Sequence, residues 1–131
     1  MPGQSQPILS KRLYNFVNGS ATFVAAKAVP VVNWTQGSLL ARVHDASFTG
    51  SSKIEVIAKT TAPSAEEPSV DFIATGAAVA TATIDSGNTA GDVEKAALGA
   101  DFGAFLQITI VGTLDTGNCS ATISIDLVVK D

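Results

Sequence analysis

Chemistry-bearing residues are scarce in this chain. One cysteine, Cys119, stands in 131 residues, so no disulfide forms within it, and the single histidine, His44, has no His, Cys or acid at metal-ligand spacing. Both read as structural, Cys119 as a small half-buried residue and His44 as a strand histidine facing solvent. Aromatic residues make up 6% of the chain, with one Trp and one Tyr, and charged residues 15%. No nucleophile has a neighbouring base, no glycine-rich loop opens a helix for phosphate, and no apolar run approaches the roughly 20 residues that cross a bilayer. The start, MPGQSQPILSKRLYNF, lacks the positive opening followed by an apolar run of roughly 7 to 15 residues that a secretory signal requires. The expectation is a non-enzymatic protein made in a cytoplasm, with no cofactor, no metal and no membrane contact.

Acids are missing from the first 36 residues altogether. Residues 1–60 carry six basic residues against two acids and residues 61–131 carry two against ten, so the net charge of −4 divides into +4 and −8. Such polarity favours docking on a neighbouring copy or an acidic surface. Nucleic acid is not the expected partner, because three positive charges spread over the first 36 residues, without interleaved aromatics, make no patch.

What the chain does have is alternation. Residues 39–45 set Leu39, Ala41 and Val43 on one face, and 53–60 do the same with Ile54, Val56 and Ala58. Further on, 105–111 set Leu106, Ile108 and Ile110 on a face, and 121–130 set Ile123, Ile125, Leu127 and Val129. Residues 20–32, 70–75 and 78–84 add strands, with Pro30 confining the first to an edge or a bend. Gln36-Gly37 reads as a turn just after Trp34, SFTGSS as the turn of a hairpin, and 61–69 as an exposed loop. Residues 88–100 (NTAGDVEKAALGA) predict the one short helix, capped by Asp92, facing Val93, Ala97 and Leu98 inward and ended by Gly99. About seven or eight strands at this spacing make residues 20–131 an all-β sandwich or jelly roll, preceded by an extended N-terminal arm, residues 1–19, that orders only against something else.

Two stretches nearly repeat each other: residues 83–90 read TIDSGNTA and residues 113–120 read TLDTGNCS. Each holds an Asp-Ser/Thr-Gly triplet that resembles the catalytic signature of aspartic proteases, whose paired aspartates share a proton. The chain is too short for two large lobes, a single-lobed subunit needs one triplet rather than two, and Asn88 and Asn118 stand where that signature calls for Ser or Thr. A calcium loop would gather several carboxylates, and each copy holds one. The triplets therefore read as turns. Asp85 and Asp115 bond to the backbone ahead of them and Gly87 and Gly117 take positive φ, with the second copy joining the last two strands as a hairpin.

The polar, Gly/Pro-bearing arm, the Ala/Thr/Val-rich strands and the final stretch FLQITIVGTLDTGNCSATISIDLVVKD resemble small virion proteins of tailed bacteriophages, capsid decoration or cement proteins above all. That resemblance implies a virion location on the outside of an icosahedral head. There the protein would bridge capsomers as a homo-oligomer, a trimer favoured, bound to the major capsid protein or another virion protein. The candidate contacts are Lys11, Arg12, Tyr14 and Phe16 of the arm, with Trp34. Two other readings stay open: a carbohydrate-binding or adhesin-like module stacking sugars on Trp34, and a tail, spike or head-fibre component.

Overall fold

The structure, a computed structural model, describes residues 4–16, 21–31, 34–63, 72–99, 102–114 and 119–130. Eight strands cover most of them: β1 (Gln4–Phe16), β2 (Ala21–Pro30), β3 (Gln36–Phe48), β4 (Lys53–Pro63), β5 (Phe72–Ile84), β6 (Val93–Ala97), β7 (Phe105–Thr113) and β8 (Cys119–Lys130). They form two four-stranded antiparallel sheets, in the orders β1-β8-β3-β6 and β2-β7-β4-β5. The period-two pattern explains why the sheets face each other. In β8 every second residue, from Cys119 through Ile123, Ile125 and Leu127 to Val129, is fully buried, and Leu106, Ile108 and Ile110 of β7 meet them from the opposite sheet. Burying each large aliphatic side chain contributes about 1.5–3 kcal/mol, so this layer is the main source of stability.

Of the seven connections between consecutive strands, only β4–β5 stays within a sheet, and the other six cross from one sheet to the other. That wrapping is the jelly-roll form of the sandwich. It corrects both hairpins read from the sequence: β3 and β4 lie in opposite sheets, and so do β7 and β8. Alternation marks which side chains point inward, and a strand facing its chain neighbour across the core satisfies it as well as one paired beside it.

The expected helix is a strand. β6 pairs with β3 from Val93↔Arg42 to Ala97↔Ser38, with burial alternating residue by residue. Its ladder bonds to an open sheet edge outweigh the helical preference of Glu-Lys-Ala-Ala, and Asp92 caps a turn by accepting from the Thr89 amide at 2.9 Å. Residues 72–84 form one strand rather than two. Gln36 and Gly37 open β3 opposite Lys130 and Val129 instead of turning, and a Cβ at Gly37 would sit 2.7 Å from Leu98 Cδ1 and 3.0 Å from the Val128 carbonyl oxygen, so a side chain there makes its neighbours shift. Pro30 ends β2, an edge strand, where its missing N–H costs no ladder bond.

Candidate functional site

The segment read as an arm lies along β8 as strand β1, an edge of the first sheet. Tyr14 and Phe16, expected as contacts with no core of their own to join, are each 3% exposed and belong to the hydrophobic core. Their rings stand 5.5 and 5.6 Å from that of Phe23 on β2. Phe16 lies over Gly112, where a Cβ would approach the ring to 2.4 Å, so only glycine admits it. Arg12 sits 5.4 Å over the Tyr14 ring. Burial pushes the Tyr14 phenol above its ordinary pKa of 10.0, with the Arg12 charge acting in the opposite direction. Lys11 and Arg12 remain exposed, and Trp34 is partly buried against the core.

The other half of β1 builds a groove. Register shifts between Pro7 and Leu9 and between Leu9 and Arg12 leave Ser10 and Lys11 outside the β8 ladder, with Lys11 in the left-handed region at φ 43°. A non-glycine residue held there stores strain. The stranded Lys11 amide donates instead to Ser124 Oγ of β8 at 3.0 Å, and Ser124 Oγ lies 2.7 Å from His44 Nε2 on β3. Ser124 Oγ, with two acceptor lone pairs and one proton, makes both bonds at once, and its bond to Nε2 is compatible with either tautomer of His44. Around this pair Pro7, Leu9, Arg42 and Asp126 complete an open groove of about 290 Å³ on the outer face of the first sheet. His44 is thus half-buried and partnered rather than a lone solvent-facing residue. No sequence signal marks it, because 80 positions separate it from Ser124.

Among the described residues no carboxylate hydrogen-bonds the other ring nitrogen of His44, and the nearby Lys11 amide is spent on the serine itself rather than left to hold an oxyanion. Nor, among the described residues, do any three His, Cys, Asp or Glu side chains gather to hold a metal ion. A larger groove, about 610 Å³, lies next along the same face; Leu40, Leu98 and Val128 line it together with Lys95 and Lys130.

The first Asp-Ser-Gly triplet is a turn. Asp85 Oδ1 accepts from the Gly87 amide at 2.9 Å, its carbonyl accepts from the Asn88 amide at 3.0 Å, and its own amide donates to Asn88 Oδ1 at 2.9 Å. The aspartate side chain closes this turn, so Gly87 needs no positive φ; among the described glycines Gly50, Gly91 and Gly103 take that region instead. Asp115 and Gly117 of the second triplet lie outside the described residues. Cys119 is fully buried, and burial raises its thiol pKa above the ordinary 9.0.

No protein-family model and no curated protein matches the chain. Among solved structures, a chain of infectious bursal disease virus, Gx strain, superposes with a TM-score of 0.52 at 14% identity, covering 98% of this chain and 31% of that one. The likeness is one of fold: this protein spans less than a third of the matched chain and shares its β-sandwich. A chain from the Bacillus endospore appendages, a family of disulfide-linked pili, matches with a TM-score of 0.31 at 15% identity over 97% of this chain and 90% of that one. The VP2 subviral particle of infectious bursal disease virus gives 0.35 at 8% identity over 99% and 42%. These last two superpose too loosely to bear on the argument.

Proposed function

We propose that this protein is a non-enzymatic structural component of a virus particle, in its specific form a decoration protein that binds the outer surface of a phage capsid as an oligomer, a trimer favoured. The observation that carries the reading is the jelly-roll wrapping of both sheets, a fold it shares with a chain of a virus over nearly its whole length.

The exposed apolar surface fits the same role. Of the four exposed large hydrophobic side chains among the described residues, Leu13, Phe23 and Val24 lie on β1 and β2, the edge strands that the chain connects between the sheets. An unpaired edge carrying apolar side chains is a surface that other chains cover. Lys11 and Arg12 stay exposed next to Leu13 on β1 and are proposed as contacts, while Tyr14 and Phe16 are buried beside Phe23. The sugar-stacking alternative is less favoured, since Trp34 is partly buried against the core.

Cryo-electron microscopy of particles that carry the protein tests the proposal. Density for an eight-stranded sandwich on the outer shell, with the β1–β2 flank at a contact, is the expected result. Particles whose shell lacks it, or that hold it in a tail or spike, overturn the decoration reading.

A further inference from the structure

We infer that the smaller groove is a binding site for a single oxyanion group, the carboxylate, phosphate or sulfate of an acidic ligand, held by Arg42 and Lys11 with Ser124 and His44 behind them. The inference stands apart from the virion reading and needs no particle.

Several observations converge on it. Three strands contribute side chains to one cleft of about 290 Å³, room for a small anionic group and part of what bears it. The protein is acidic as a whole, at −4, yet two cations and the histidine line this cleft against one acid, Asp126. Among the described residues neither Arg42 nor Lys11 has a carboxylate within ion-pair distance, although Asp126 lines the same groove. A guanidinium without an ion-pair partner presents the planar donor fork that fits a carboxylate or phosphate. The backbone contributes as well. Lys11 is held at positive φ by its bond to Ser124, and strain of this kind collects where a side chain must be aimed. The Ser124–His44 bond then fixes the wall behind the ligand. Asp126 sets the limit on affinity, since its charge repels the group that Arg42 attracts.

The test is a titration of the isotopically labelled full chain with inorganic phosphate, sulfate and glucuronate, each followed by amide NMR at constant ionic strength. The expected result is a saturable shift centred on the Lys11 and Ser124 amides. Arg42→Gln is expected to weaken it at least tenfold and Asp126→Asn to tighten it at least threefold, while Lys53→Gln on the opposite sheet leaves it unchanged. Saturation by phosphate and sulfate alone assigns a phosphorylated or sulfated ligand, and saturation by glucuronate assigns an acidic sugar. Shifts that stay linear with every anion, or that Arg42→Gln weakens no more than Lys53→Gln does, overturn the proposal. Asp126→Asn keeps the test decisive, because a purely structural loss does not tighten binding.

Discussion

The two halves of β1 follow the same edge of the same sheet and do opposite work. From Arg12 to Phe16 the strand keeps register with β8 and buries two aromatic rings against Phe23 and Gly112. From Gln4 to Lys11 it slips register twice, turns one backbone residue to positive φ and opens a groove lined with charge. The difference teaches that an edge strand supplies core where its ladder is regular and a site where it is bulged.

The sharpest way to break this contrast is to remove the ring that anchors the regular half. Phe16→Ala is expected to cost about 3–5 kcal/mol by chemical denaturation, as for other buried aromatics. Gly112→Val, which sets a side chain where the ring lies, costs about 1–3 kcal/mol through overpacking. In the bulged half the costs are smaller. Ser124→Ala removes the acceptor of the Lys11 amide and lowers stability by about 1 kcal/mol. Lys11→Gly relieves the positive φ and leaves stability unchanged or raised by up to about 1 kcal/mol. If the Phe16 and Ser124 variants proved equally damaging, the division of labour within β1 would fail.

Alkaline titration reads the regular half by another route, since the chain has one tyrosine. The folded state raises the Tyr14 pKa, so it holds the phenolic proton more tightly than the unfolded chain does. Stability is therefore full below the unfolded value of about 10 and declines as pH rises through the folded-state value. Tyrosinate absorbance is expected to appear above pH 10 in the native protein, and Arg12→Gln, which removes the opposing charge, moves that midpoint higher still.

Much of the fold was legible in the sequence, and the particular failures have physical causes. The inward faces of β3, β4, β7 and β8 match the alternation at Leu39 to Val43, Ile54 to Ala58, Leu106 to Ile110 and Ile123 to Val129. Partner choice was not legible, because Ile110 and Ile123 look the same whether their strands lie side by side or face each other across the core. β6 was missed because Glu94, Lys95 and Ala96 favour a helix in isolation, and only the waiting edge of β3 makes them a strand. The groove was hidden for a related reason: Lys11, His44 and Ser124 meet through the register of three strands, not through any local motif. Tyr14 and Phe16 were read as contacts for a partner, because nothing local in the sequence shows that their side of the arm faces Phe23 and Gly112 of the chain itself.

The exposed Leu13, Phe23 and Val24 at the β1–β2 flank, together with the jelly-roll wrapping, make assembly the central claim. Light scattering coupled to gel filtration on the purified full-length chain tests it most directly. A closed oligomer, a trimer above all, that dissociates when Leu13 is replaced by Asp is the predicted result. A monomer at every concentration, unchanged by Leu13→Asp, would contradict it.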